Sequence, residues 1–226
     1  MLEAYEAYGD YNTMAALVQD LVVGAAEAVG STVVAARDGS TIDLAGTWRH
    51  ATLLELVSEA VGQSVTSQTS TEEARRLAGI RGVEIRPAWG AGDIALEMYE
   101  KLVEHTLLAP TFVRDYPAKV KPLAKQHRRD PGVVEAFDLV INGVELAAAY
   151  SEMNDPVIQR ERLVEQSLQA AAGNPEAMDL DEDFLRALEF GMPPAGGLGM
   201  GVDRLMMLIS GVGIRETILF PLLRPE

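Results

Sequence analysis

Residues 133–152 read VVEAFDLVINGVELAAAYSE. Two apolar runs flank Asn142-Gly143, and that dipeptide is a strong signal for a two-residue type I′ hairpin, whose two central residues both need positive φ. The turn sets a register in which Ile141 faces Val144, Val140 faces Glu145 and Asp138 faces Ala147. Facing residues share one side of a sheet and side chains alternate along each strand, so Asp138 and Glu145 point the same way. Working outward, Thr32–Leu44 reads as two further strands around Asp38-Gly39, and PTFVRDYP at 110–117 as another. Helical spacing covers 13–29, with Asn12 or Thr13 as cap, and HATLLELVSEAV at 50–61. Ser70 and Glu73 form a capping box, and Asp93 caps a further helix bearing Met98, Tyr99 and Leu102 on one stripe. Asp155-Pro156 opens a long helix, and Asp181 opens another that Gly191 closes. Strands joined by tight turns, segregated from the helices, predict an α+β fold with an antiparallel sheet flanked by helices.

The chain has 226 residues, enough for a sizeable core without covalent staples. It has no cysteine, which excludes disulfides, thiolate metal sites and cysteine nucleophiles and fits a reducing, cytoplasmic setting. No run is long and apolar enough to span a membrane, and the acidic opening lacks a signal-peptide pattern. A net charge of −15 excludes binding of nucleic acid through the overall field. Lys119, Lys121, Lys125, Arg128 and Arg129 form a local basic run, read as a solvated loop or as a contact for tRNA or a neighbouring chain. His50, His105 and His127 are scattered without metal-ligand spacing.

Residues 196–226 read GGLGMGVDRLMMLISGVGIRETILFPLLRPE. The glycines match neither G-x-G-x-x-G nor the G-K-[ST] of a phosphate loop. They suit a strand approached closely by a ligand, or simply a tightly packed strand. Val202, Leu205, Met206 and Ile209 make the buried stripe of the following helix. Arg204 lies off that stripe in the first turn, where a cation opposes the macrodipole at a cost of about 0.3–1 kcal/mol. An arginine beside free backbone N–H groups can hold a phosphate, and an anionic ligand with Asp203 nearby would offset the charge.

GLGMGVDRLMML and IRETILFPLLRPE resemble motif 3 of the class II aminoacyl-tRNA synthetases, and the ending ILFPLLRPE resembles the lysyl enzymes most. MLEAYEAYGDYN resembles the segment just after motif 2 of lysyl-tRNA synthetase, and PTFVRDYPAKVKPLAK and FDLVINGVELAAAYSEMNDP resemble the region between motifs. The resemblance covers essentially the whole chain. It implies that residues 1–226 are an N-terminally truncated catalytic domain, with a mainly helical insertion at about 50–108 and no anticodon-binding OB domain, motif 1 or motif 2. The implied activity is lysine–tRNA ligation: ATP and lysine form lysyl-adenylate, and the lysyl group passes to tRNA(Lys). Such enzymes use Mg²⁺, work in the cytoplasm and form homodimers; without the missing parts this chain is expected not to charge tRNA alone. Three alternatives stand beside it. One is the synthetase-like tail of a lysyl-phosphatidylglycerol synthase fusion. Another is a relative that lysylates an elongation factor, whose ending is less similar. The third is a non-catalytic paralogue that binds lysine, nucleotide or a partner.

The resemblance also implies roles. Arg204 contacts ATP phosphate as the catalytic arginine, Asp138 and Glu145 hold Mg²⁺ near the phosphates, and Glu3, Tyr5, Tyr150 and Glu152 recognise lysine. A carboxylate beside an aromatic face suits an ammonium group. Three positions depart from the pattern: Asp138 stands where the family usually has Glu, Ala148 where many members have Asn, and Tyr150 where many have Phe. One geometric conflict follows. Tyr150 and Glu152 are an odd number of residues from Glu145, so a regular strand would turn them to the opposite face. A shared site therefore requires one extra residue, a β-bulge, within residues 146–149, and the run Ala147-Ala148-Ala149 leaves room for it.

Overall fold

The computed structural model describes residues 1–171 and 177–220; the PLLRPE end of the family signature lies outside the described residues. Its centre is a six-stranded sheet in the order β1 (Leu2–Ala7), β8 (Ala195–Met200), β7 (Val144–Ser151), β6 (Val133–Ile141), β5 (Thr111–Pro117), β4 (Arg49–Thr52). Neighbours run antiparallel except β4 and β5, which are parallel. A separate hairpin pairs β2 (Val33–Ala35) with β3 (Thr41–Asp43). The α+β reading holds, with two corrections: the sheet is mixed at β4, and residues 2–7 add a further strand at its other edge.

The β4 correction has a local cause. The hydrophobic spacing of 50–61 suggests one helix, but α2 covers only Leu53–Val61. Thr52 accepts a hydrogen bond from the Glu55 N–H while Glu55 accepts one from the Thr52 N–H. This reciprocal capping box fixes the helix start and releases Arg49–Thr52 to pair with β5. Caps are shifted elsewhere too. Asp10, rather than Asn12 or Thr13, caps α1 (Tyr11–Ala28). Gly90 is the N-cap of α4 (Ala91–Leu102), and Asp93 instead accepts the Gly90 N–H from the third helical position. The caps at Ser70, Asp155 and Asp181 are where the sequence places them, opening α3 (Thr71–Ile80), α5 (Pro156–Ala171) and α6 (Glu182–Glu189). Ser70 accepts the Glu73 N–H, while the Glu73 side chain pairs with Arg76.

The sheet is buried on both faces at its centre. Every residue of β6 is buried, and the two parities of the strand feed two cores. Phe137, Leu139 and Ile141 pack with Met14, Val18 and Val22 of α1. Val134, Ala136 and Val140 pack with Leu56, Leu77, Ile94 and Met98 of α2, α3 and α4. These three helices cover the second face towards β4 and β5. Towards β1 the same face carries the exposed residues Glu3 and Tyr5.

The central hairpin turn has the expected backbone. Asn142 and Gly143 have φ of 57° and 69°, as a type I′ turn needs. A Cβ at Gly143 would also lie 2.8 Å from the guanidinium of Arg37, whose backbone N–H donates to Asn142 Oδ1 and ties the β2–β3 hairpin to the turn. Gly143→Ala is therefore expected to lower stability by about 1–2 kcal/mol, the usual cost of a left-handed non-glycine residue. A urea unfolding midpoint unchanged by the substitution would contradict this account of the turn.

Candidate active site

The site begins with an interruption of the β6–β7 ladder. Val140 pairs with Glu145, but Leu139 pairs with Ala147, leaving Leu146 without a partner. The extra residue is thus Leu146, within the window required by the sequence; the three alanines themselves pair regularly, and Asp138 faces Ala148 rather than Ala147. Leu146 and Ala147 consequently both enter the core on the α1 side, although they are adjacent in sequence. Beyond the bulge the alternation is reversed. Glu145, Ala148, Tyr150 and Glu152 now share the face of Asp138 and Val140. The pairings of β7 with β8 and β8 with β1 extend this face to Gly199 and Gly197 and then to Glu3 and Tyr5.

Across one row lie Asp138, Ala148, Gly199 and Glu3; across the next lie Ala136, Tyr150, Gly197 and Tyr5. All four residues expected to recognise lysine are therefore on one face, and so are the two expected metal ligands. The glycines have a physical role here. A Cβ at Gly197 would stand 1.8 Å from Glu152 Oε1 and 2.8 Å from Tyr5 Cε1, so only glycine lets those side chains cross β8. A Cβ at Gly199 would meet nothing within 4 Å. With Ala148 beside it, Gly199 leaves the floor between Glu3 and Asp138 free of large side chains.

The two ends of this face differ in charge balance. At one end the Glu152 carboxylate has no hydrogen-bond or ion-pair partner among the described residues, and burial pushes its pKa up to about 7. The Tyr5 hydroxyl is likewise shifted up, first by burial and then by the charges of Glu152 and Glu3. At the other end the acids are paired. Both Asp138 carboxylate oxygens lie 3.0 Å from Lys121 Nζ. Glu145 Oε1 is 3.6 Å from Arg204 Nη1, which also donates to the Glu145 carbonyl. Burial and then the Asp138 charge raise the Glu145 carboxyl, against the pull of Lys121 and Arg204. Glu104, in a 3-10 turn at Glu104–Thr106, belongs to the same cluster: burial and then Asp138 raise its carboxyl while Arg204 opposes them. The buried Tyr99 hydroxyl, which feels the Glu104 charge, has no hydrogen-bond partner among the described residues.

Arg204 sits in the first turn of α7 (Val202–Ser210), as expected. Within the chain its counter-charge is Glu145 of β7 rather than the nearby Asp203 expected to assist an anionic ligand. The bulge makes this contact possible, because the Leu146 carbonyl accepts the N–H of Gly201, the N-cap of α7. The guanidinium is nearly half exposed, so it can face a ligand and its pair with Glu145 together.

The basic run is solvated in part, with Lys119, Arg128 and Arg129 exposed, while Lys121 and Lys125 turn inward. Lys121 pairs with Asp138, Lys125 reaches Asn154, Arg128 holds Glu135 and Asp10, and Lys119 pairs with Glu165. Sequence reasoning missed Lys121, Glu104 and Tyr99 as neighbours of the site. A lysine within a run of surface-type cations carries no local sign that it will turn inward. Asp138 and Glu145 do not fit a shared Mg²⁺ as arranged, since an ammonium already bridges both oxygens of Asp138. No cluster of three or more His, Cys, Asp or Glu able to hold a metal occurs among the described residues.

The family model described as tRNA synthetases class II (D, K and N) matches residues 1–224. The chain is 52% identical to the lysylphosphatidylglycerol biosynthesis bifunctional protein LysX of Nocardia farcinica over its whole length, which covers 20% of that protein. It is 49% identical to the LysX protein of Mycobacterium marinum, covering 21% of it. It is 47% identical to a lysine–tRNA ligase of Mycobacterium tuberculosis, again over its whole length and 46% of the relative. The chain thus spans less than half the length of these curated relatives.

The unpaired Glu152 sets a pH dependence. Its folded pKa lies above the unfolded value of 4.5, so folding favours the protonated acid. Stability is full below the unfolded pKa and is lost as pH rises from there through about 7. Between pH 5 and 8 the wild-type chain is expected to lose about 1–3 kcal/mol more than Glu152→Gln, on the scale of 1.36 kcal/mol per pKa unit. Parallel stability–pH curves from urea unfolding would contradict this assignment.

Proposed function

We propose, from the premise that this chain belongs to the class II tRNA synthetases of the D, K and N group, that its site binds lysine and ATP and activates the amino acid as lysyl-adenylate. The observation that carries the choice of lysine is Glu152, a partly buried carboxylate with no cation beside it among the described residues, whereas Asp138 and Glu145 each have one. An ε-ammonium placed there would turn a burial cost into a charge-assisted hydrogen bond. Tyr150 and Tyr5 flank the carboxylate with aromatic surface, which favours a cation further. Glu3 at the edge strand adds a second negative charge, suited to the α-ammonium or the side chain of the same ligand.

Activation needs a bound triphosphate with its α-phosphorus in line with the lysine carboxylate. The carboxylate oxygen attacks that phosphorus, a P–O bond forms, and pyrophosphate leaves. Arg204 is the residue proposed to meet the phosphate charge, since it lies on the same side as Glu145 and is open to solvent. Positioning and electrostatic stabilisation are then the work of the protein. Class II family members generally use ATP with Mg²⁺. The chain spans less than half the length of the curated relatives it matches, and two fates of the lysyl group are proposed. Transfer to tRNA(Lys), in a cytoplasmic homodimer serving protein synthesis, is the first reading. The identities to LysX proteins, at 49–52%, support a second, in which the same activation serves lysylphosphatidylglycerol biosynthesis. No helix among the described residues is long and apolar enough to cross a membrane.

Calorimetric titration tests the proposal. Lysine is expected to bind more tightly as pH rises towards 7, because the ammonium requires ionised Glu152. Glu152→Gln should weaken lysine by at least about tenfold, a loss of ~1.4 kcal/mol, while leaving ATP binding unchanged. Arg204→Ala should do the reverse. Lysine binding that is indifferent to Glu152→Gln would remove the basis of the assignment.

A further inference from the structure

Among the described residues, Lys121 is the one basic residue inside the candidate site that the proposed function does not use. Its Nζ touches both oxygens of Asp138 at 3.0 Å, and the two side chains are only 19% and 11% exposed. The ammonium also lies 4.7 Å from the ring centre of Tyr116 and 5.6 Å from that of Tyr150. Two aromatic faces and a carboxylate held at both oxygens suit an ammonium group. They do not suit Mg²⁺, which demands close octahedral oxygen ligation and retains much of its water.

We infer that Lys121 is a resident cation that occupies Asp138 and prevents a divalent ion from being held between Asp138 and Glu145. A metal at Asp138 would have to share the carboxylate with an ammonium in contact with the same oxygens, and two like charges at that separation repel strongly in a partly buried site. Burial opposes the charge on Lys121 most strongly, but Asp138, Tyr150 and Glu145 together outweigh it and raise the pKa of the ammonium above its ordinary range. The positive charge of this part of the site therefore comes from the protein's own chain. Ions travelling on the phosphates of ATP are a separate matter. The inference also stands apart from the choice of lysine as substrate, since its test uses neither lysine nor ATP.

The test is Mn²⁺ binding followed by electron paramagnetic resonance. The wild-type chain is expected to leave Mn²⁺ free. Lys121→Met, which uncovers Asp138 while keeping the stem, should bind one ion at least roughly tenfold more tightly, and adding Asp138→Asn should abolish that gain. Lys121→Gln serves if Lys121→Met does not fold by circular dichroism. A wild-type chain that holds Mn²⁺ and loses it on Asp138→Asn would overturn the inference, as would a folded Lys121 variant that binds no better than wild type. An independent reading needs no variant. The Lys121 side-chain ¹⁵N resonance should be unmoved by millimolar Mg²⁺, and its displacement would equally overturn the inference.

Discussion

One extra residue, Leu146, decides what this sheet can do. Without it, the strand after the turn would send Glu145 to one face and Tyr150 and Glu152 to the other. With it, both Leu146 and Ala147 fill the core beneath α1, and every polar residue of the strand's site face is brought to the same side. The bulge also frees the Leu146 carbonyl from the ladder, and the Gly201 N–H takes it. That bond continues the β7–β8 pairing to the start of α7, where Arg204 donates to the Glu145 carbonyl. A local interruption of hydrogen bonding thus sets both the direction of the side chains and the position of the cation that faces them.

The face so assembled is uneven in charge. Towards β6 the acids are answered within the chain, Asp138 by Lys121 and Glu145 by Arg204. Towards β1, Glu152 has no answering cation among the described residues and Glu3 stands exposed. An uncompensated, partly buried carboxylate costs stability, and a site that keeps one is arranged for a positive ligand. Gly197 belongs to the same arrangement, because any side chain there would displace Glu152 or Tyr5. The glycine-rich strand is therefore shaped by neighbouring side chains as much as by close approach of a ligand.

Much of this was legible in the sequence, for identifiable reasons. The Asn142-Gly143 turn has strong local chemistry, so its register and the parity argument that demanded a bulge could be worked out on paper. The bulge falls at Leu146 rather than among the alanines because the core accepts an additional large apolar side chain there. The strand at 49–52 was masked by the apolar spacing of the helix that follows, although the Thr52-x-x-Glu55 box marks the boundary. The strand at 2–7 pairs only with residues nearly two hundred positions away, and its alternation alone is weak. Lys121 and Glu104 reach the site through tertiary packing, which no local pattern announces.

The central claim is the register of the β6–β7 ladder, and cross-strand nuclear Overhauser effects read it directly on a uniformly labelled chain. The structure requires Ala147 to lie opposite Leu139 and Ala148 opposite Asp138, with Leu146 facing no residue of β6. Cross-peaks placing Ala147 opposite Asp138 and Leu146 opposite Leu139 would show an unbroken ladder, put Glu152 on the other face from Glu145, and contradict the shared site.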